Sequence, residues 1–424
     1  MKFFTLTALD IGTNSIKAVC GNKDLRTGEV KILASSQVPC FGVRNGEIIK
    51  PEQVAKAVEE TVKELDKKTN LKIKDCWATI GGSHIFSLNS QGLVSVARAD
   101  QKISSEDIQR VLRAAQSVNL PKNKEVIDVF PQEFIVDGEA GIKDPLGLCG
   151  IRLEVKVLLA CLFSPLLENL EKAIALAGLR LIDVSVTSVA SARAVLTEEQ
   201  KELGVMLLEI GAGTTHVAVF EKGDLKDFAV FPVGSANITN DIAIGFRTEI
   251  STAEKIKLNF AALPGATKDK QRALLKIKAK STKKNKISPE QTEQIQPECF
   301  IMPKTGVDFS LKLLDNIVES RISQIVAETQ KSMKKYLVSQ SLPAGVVLIG
   351  GGANLPGLVE YIRQKFKLPC RLGKIQGLAD FNDFQWAGAL GLLLVGFEEE
   401  ECEDNQNDVT VKEKLKRVIK SFLP

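Results

Sequence analysis

The chain has 424 residues, 25% of them charged and 44% hydrophobic, a composition ordinary for a folded globular protein but a length beyond what one hydrophobic core serves, so at least two domains are predicted. The net charge of +4 is too small to signal a global preference for nucleic acid or membrane. The start, "MKFFTLTALDIG", runs straight into a strand pattern without the longer apolar core and cleavage site of a signal peptide, and the best apolar run, "AGALGLLLVGF" at 387–397, is too short and glycine-interrupted to span a bilayer. A cytosolic chain is expected. Eight cysteines are scattered with no C-x-x-C pair, so they read as free, mostly buried thiols rather than a zinc site or disulfide frame.

In chain order, "TALDIGTNSIKAVCGN" predicts a strand from Thr7 to Asp10, a tight turn at Gly12, Thr13 and Asn14, and a second strand from Ser15 to Cys20. Glycines let such a turn point its amides inward, and the hydroxyls of Thr13 and Ser15 add donors suited to phosphate oxygens. Lys17 follows on the second strand. An acid at the strand end, Asp10, cannot touch phosphate directly but can hold a hydrated magnesium ion against it. Two hundred residues on, "LLEIGAGTTHVAVF" repeats the arrangement with Glu209, Gly211, Ala212, Gly213, Thr214 and Thr215. One Gly-Thr hairpin alone says little, since such turns occur in many sheets for geometric reasons.

A third element sharpens the reading. "GVVLIGGGANLPGL" at 345–358 predicts a buried strand ending in Gly350, Gly351 and Gly352, then Ala353, a turn and a helix; bare backbone there lets a base or ribose lie flat, and the helix start favours negative charge. Between the second and third elements, "AEKIK" places Glu254 and Lys257 one helical turn apart on one face, within reach of ribose hydroxyls and ring nitrogens. Gly234, in "FPVGSANITNDIAIGF", joins this set.

The ordered set resembles the actin-like ATPase superfamily, which implies two α/β lobes closing on ATP and Mg2+. "GGSHIFSLNSQG" (81–92), "EVIDVFPQEFIVDGEAGIKDPLGLCGIRLEVKVLLA" (125–160) and "FPVGSANITNDIAIGF" (231–246) are similar to the FtsA family of cell-division proteins, over essentially the whole chain. The resemblance implies a first lobe at 1–83, 164–197 and 378–397, interrupted by an inserted subdomain at 84–163. It implies a second lobe at 198–247 and 306–377 with a small subdomain at 248–305. It also implies self-assembly into filaments, binding of the C-terminal tail of FtsZ by the small subdomain, and contact with later division proteins.

The chain departs from the family pattern Asp-Ile-Gly-Gly-Gly-Thr-Thr-Asp at three places, with Glu209, Ala212 and His216; Ser235 stands where a second glycine is common. Glu209 moves its carboxyl oxygens by about an ångström, and a shift of that size costs roughly a hundredfold in rate when it misplaces a reacting group. Asp10 is thus the expected magnesium-ordering residue and Glu209 the weaker catalytic candidate. ATP is expected to bind with slow or negligible turnover, as a ligand that closes the cleft. His216 reads as a structural histidine.

The stretch "TKDKQRALLKIKAKSTKKNKISPEQTEQ" (267–294) is lysine-rich without interleaved aromatics, which argues against nucleic acid and suits an acidic peptide. After it and the last core helix, "EEEECEDNQND" predicts a solvated linker over 398–410. The end, 411–424, predicts an amphipathic helix: Val411, Leu415, Val418, Ile419, Phe422 and Leu423 line one face, and Lys416, Arg417 and further lysines populate the rest. That pattern points to an anionic membrane surface. The expected function is a division adaptor at the cytoplasmic face of the inner membrane, at the septum. The alternatives are a pilus-assembly scaffold like PilM, which shares the insert, or a small-molecule kinase of the same superfamily.

Overall fold

The computed structural model describes residues 3–263, 299–301, 308–338, 342–378 and 381–400. The lysine-rich stretch 267–294, the linker from 401 and the terminal helix at 411–424 with its membrane-facing candidates lie outside the described residues.

The chain opens with β1 (Phe3–Ile11), β2 (Ser15–Asp24) and β3 (Val30–Pro39), a small hairpin of β4 (Val43–Arg44) and β5 (Glu47–Ile48), helix α1 (Pro51–Thr69) and β6 (Asp75–Ile80). It then leaves for a separate layer, β7 (Phe86–Ser95), α2 (Ser105–Gln116), β8 (Lys124–Val136), β9 (Glu139–Ile142) and β10 (Arg152–Phe163). It returns through α3 (Ser164–Leu176), β11 (Arg180–Val186), α4 (Thr187–Val195) and α5 (Glu198–Leu203). The next unit holds β12 (Val205–Ile210), β13 (Thr215–Glu221), β14 (Asp224–Phe231), α6 (Ser235–Gly245), α7 (Ile250–Phe260), β15 (Cys299–Ile301) and β16 (Asp308–Ser310). Helices α8 (Leu311–Ser332) and α9 (Lys334–Val338), β17 (Val346–Ile349), α10 (Leu358–Phe366), β18 (Cys370–Leu372) and α11 (Ala387–Glu400) complete the described chain.

The two large sheets have one topology. The first runs β11-β6-β1-β2-β3 and the other, read from its far edge, β18-β17-β12-β13-β14. In each, three strands form an antiparallel meander and two further strands add in parallel to the first of them. Both faces of the central strands are covered, so β12, "VMLLEI", is an almost continuous buried run instead of an alternating one.

Helix α1 shows the local logic. A proline at its start needs no amide partner, and Val54, Val58, Val62 and Leu65 recur on the buried face. Asn70, in the left-handed region at φ 55°, ends it. Helix α11 crosses α4 at Gly391, where a Cβ would stand 1.7 Å from the Ala190 carbonyl oxygen; only glycine permits that approach. The crossing fixes α11 against the first lobe's sheet, beside β1.

The inserted layer is a four-stranded sheet ordered β7-β10-β8-β9. One face has a core of its own, where Val111 and Leu112 of α2 are fully buried against Leu153, Val155 and Leu159, and the other face sends Ile127, Leu158, Ala160 and Leu162 into the large core beneath. Gly92 lets β7 lie on that helix, since a Cβ there would stand 2.2 Å from the Val111 carbonyl oxygen. Ser104 and Asp107 cap α2 reciprocally, and Asp107 also accepts from the Ala97 amide and pairs with Arg110.

Candidate functional site: a cleft between two matching hairpins

The turns of β1–β2 and β12–β13 open into one cleft of about 470 Å³. Each turn closes with the same bond: the Gly12 amide donates to the Ser15 carbonyl at 3.1 Å, and the Gly211 amide to the Thr214 carbonyl at 2.8 Å. The turns touch across the cleft. A Cβ on Gly213 would stand 2.6 Å from Thr13 Oγ1, so this glycine is required by close approach of the lobes. Of the residues expected from the sequence, Asp10, Gly12, Thr13, Asn14, Ser15, Lys17, Glu209, Gly211, Ala212, Thr214, Glu254, Lys257, Gly350, Gly351 and Gly352 line this cleft.

Four others stand behind it. Thr215 is fully buried and donates its hydroxyl to the Val233 carbonyl at 2.8 Å, leaving none for a ligand. Ala353 is 3% exposed, packed beneath the glycine turn it helps close. Gly234 supports the second turn from below, where a Cβ would stand 2.5 Å from the Ala212 carbonyl oxygen. Gly213 acts as the spacer against Thr13. These four do not line the cleft and brace the turns that do. Thr214, at the end of the turn before β13, lines the cleft, with its Oγ1 also 3.0 Å from His216 Nε2.

The acids at the two strand ends differ in surroundings. Asp10 accepts from Thr79 Oγ1 at 2.9 Å and lies 3.9 Å from Lys17 Nζ, its register partner across β1–β2. Gly388 of α11 keeps the space over it open, since a Cβ there would stand 3.0 Å from the carboxyl carbon. Glu209 is a half-buried residue, but its Oε2 is wholly covered and has no partner. Burial, with the nearby charge of Asp10, pushes this carboxyl up to about 8. Its register partner is His216. His216 Nε2 lies 3.0 Å from Thr214 Oγ1, Nδ1 is covered without a partner, and burial pulls the imidazole down to about 4.

Farther along the cleft, Lys257 Nζ lies 2.7 Å from Glu254 Oε2 and donates to Thr239 Oγ1 at 2.8 Å, while Thr239 bonds Glu254 in turn. Beside this triad Ile238, Leu258, Ile322, Leu355 and Pro356 make an apolar wall. The wall was not foreseen. Leu258 was legible as the next residue after Lys257 and Leu355 as part of the loop after the glycines, but Ile322 on α8 gave no local signal. The arrangement offers amides and hydroxyls at one end, one ordered carboxylate beside them, and a polar triad with apolar surface at the other. That is the chemistry of a ligand with an anionic end and a flat, partly apolar end.

Residues 206–391 match the family described as "Cell division protein FtsA", and residues 82–161 match "SHS2 domain inserted in FTSA". The cell-division protein FtsA of Pseudomonas aeruginosa is 31% identical over 93% of this chain and 90% of its own length. FtsA of Escherichia coli is 30% identical over 93% and 90%, and that of Bacillus subtilis 29% over 91% and 82%. Among solved structures, a PilM-PilN type IV pilus biogenesis complex superposes with a TM-score of 0.64 at 16% identity, over 93% of this chain and 98% of that one. MreB5 of Spiroplasma citri, solved bound to ADP, gives 0.53 at 12%, over 95% and 99%. The actin-like fold with its inserted subdomain is as the sequence led one to expect.

Proposed function

The chain belongs to the FtsA family of cell-division proteins, and from that premise we propose that it is an ATP-binding, actin-like adaptor that assembles with itself and ties FtsZ polymers to the cytoplasmic membrane at the septum. The observation that carries the nucleotide reading is the meeting of two phosphate-type hairpin turns over one cleft, with Gly213 against Thr13. The inward amides and the hydroxyls of Thr13, Ser15 and Thr214 suit the phosphates. Glu254 and Lys257 suit the ribose and base edge, and the wall of Leu258, Ile322 and Leu355 suits the base face.

The donor set also suits Mg2+ held through water. Among the described residues no group of three or more His, Cys, Asp or Glu gathers as a metal cage, and magnesium keeps several waters and needs only one carboxylate beside substrate phosphates. Asp10, with Thr79 and Lys17 fixing it, would take that place, and the ion would neutralise phosphate charge. Glu209, its carboxyl raised to about 8 and so protonated at neutral pH, is poorly suited to orient an attacking water. Turnover well below about 1 per second is expected.

The partners follow from the family and from charge. The small subdomain with its lysine-rich stretch is assigned to the FtsZ tail, the insert to later division proteins, and the tail at 411–424 to an anionic leaflet. Each cation near such a leaflet adds about 1 kcal/mol, so one tail binds weakly and many on one polymer bind tightly. Among the described residues no helix is long and apolar enough to cross a membrane. The test is flotation of the protein with anionic liposomes, full chain against a chain ending at Asp408. Flotation of the full chain alone supports the adaptor; flotation of neither removes the membrane role.

A further inference from the structure

The hairpin β4–β5 pairs two residues with two, yet it bonds to the first cleft turn, to the start of the insert and to α3. At its tip Gly46, in the left-handed region at φ +77°, sits close against the Gly82 backbone and the Thr214 methyl: a Cβ would stand 2.8 Å from the Gly82 amide and 3.0 Å from Thr214 Cγ2. The Gly46 amide donates to Thr13 Oγ1 at 3.1 Å. The tip is therefore in contact with both cleft hairpins at once, one from each lobe.

The other side of the same hairpin holds the insert. The chain leaves the first lobe through Gly81–His84 and returns through Phe163 into α3. Glu47 Oε1 accepts from Ser83 Oγ at 3.2 Å and lies 3.2 Å from His84 Nε2. The His84 ring faces Phe163, centroid to centroid 5.9 Å, and so links the outgoing crossing to the returning one. The Ile48 carbonyl accepts from Asn169 Nδ2 of α3 at 2.9 Å. Both crossings of the insert are thus fastened to a hairpin whose tip rests on the cleft.

We propose that β4–β5 is a transmission element through which occupancy of the cleft sets the orientation of the inserted subdomain. The inference rests on the nucleotide reading of the cleft and adds its regulation. A threonine hydroxyl has one proton to give and can accept from others. Because Thr13 Oγ1 accepts from Gly46, its own proton is left for an oxygen of the bound ligand. Hydrogen bonds in such a chain strengthen one another, so a phosphate donated to by Thr13 draws the Gly46 amide closer. Glu47, the next residue, moves with it and carries Ser83 and His84. One face of the insert has a core of its own, while Ile127, Leu158, Ala160 and Leu162 on the other pack into the large core, and Ser87, Gln132 and Lys143 bond to Asp227, Leu225 and Asp224 of β14. A displacement at the tie is therefore passed to a layer that also rests on β14, and shifts it against that strand.

The test is amide hydrogen exchange on the full chain, with and without Mg-ATP, followed at 81–86 and 163–169, beside a separate titration of Mg-ATP binding. Wild type should bind Mg-ATP and slow exchange at both crossings. Glu47→Ala should bind with unchanged affinity and lose the slowing at 81–86, while the Asn169 bond to the Ile48 carbonyl keeps part of it at 163–169. His84→Ala, at a side chain 55% exposed, should bind equally and weaken it at 163–169 while retaining it at 81–86 through Ser83. If wild type binds Mg-ATP but exchange at the crossings does not change, or if both variants respond as wild type does, the transmission element is overturned and the nucleotide reading stands. If wild type does not bind Mg-ATP at all, the nucleotide reading falls and this inference with it.

Discussion

The two cleft hairpins have the same strand pairing and the same closing bond, with Asp10 opposite Lys17 in one and Glu209 opposite His216 in the other. The first keeps an acid ordered by Thr79 and faced by a lysine; the second buries an acid raised to about 8 beside an imidazole lowered to about 4. At neutral pH the first hairpin brings charge and the second brings backbone donors and shape. Turn geometry and turn electrostatics are thus separable: the glycines reproduce the first, and the residues flanking them decide the second.

The largest effect expected from this contrast is a pH dependence. His216 is 4% exposed and neutral in the fold, while in the unfolded chain it titrates at its ordinary 6.5. Above that value both states hold it neutral. As pH falls from 6.5 towards 4 the unfolded chain takes up the proton first, so stability is lost over this window, by up to roughly 3 kcal/mol. Urea unfolding midpoints between pH 7 and pH 4 should fall more steeply for wild type than for His216→Gln. Parallel curves would mean that the imidazole is solvated and the second hairpin is not the neutral one.

Next in size is Gly213→Val. The first added carbon would meet Thr13 Oγ1 at 2.6 Å, Cγ2 at 2.9 Å and Cβ at 3.1 Å, so the whole threonine must move and its bond to Gly46 is lost. Overpacking of this kind costs about 2 kcal/mol, or roughly thirtyfold in affinity if it falls on the closed cleft. Titration with a fluorescent ATP analogue should show it, with the thermal midpoint little changed. Unaltered affinity would mean that the hairpins need not close on the ligand.

How far this contrast was legible in the sequence depends on the range of the contact. The hairpins, the Gly350–Gly352 turn and the Glu254–Lys257 pair follow from local spacing, and all three reach the cleft. Asp10 and Thr79 meet across 69 residues, and nothing near either announces the other. The threonine pair at 214 and 215 divides between turn and strand, a boundary that spacing alone does not assign. The β4–β5 hairpin has two-residue strands, too short for any periodicity, so its contacts with Thr13 and His84 appear only in three dimensions. The raised carboxyl of Glu209 comes from covering atoms supplied by distant segments, whereas its side-chain length alone suggested only a displaced oxygen.

Smaller again is the effect of Asp10→Asn. The amide keeps the shape and the Thr79 bond but removes the charge that orders a hydrated cation. Affinity for ATP with magnesium should fall about tenfold, or about 1.4 kcal/mol, and affinity without magnesium should hold or rise, because phosphate no longer faces a carboxylate. Isothermal titration in the presence and absence of the ion separates the two. A loss that is equal in both would assign Asp10 to the fold and not to the metal.

Glu209→Gln should do least to binding, and for that reason tests the comparison most directly. A carboxyl raised to about 8 is already neutral at pH 7, so the amide replaces like with like, and Mg-ATP affinity should stay within about twofold of wild type. The difference should instead appear in how stability changes with pH. As pH rises past 4.5, the ordinary value for this group, the unfolded chain gives up its proton while the folded chain keeps it, so wild type loses stability from there to about 8 and the amide variant does not. The two melting curves should therefore separate at pH 8 with the variant the more stable. If Glu209→Gln instead weakens Mg-ATP as strongly as Asp10→Asn does, the second acid is ionised when ligand is bound, and the two hairpins are equivalent in charge as well as in shape.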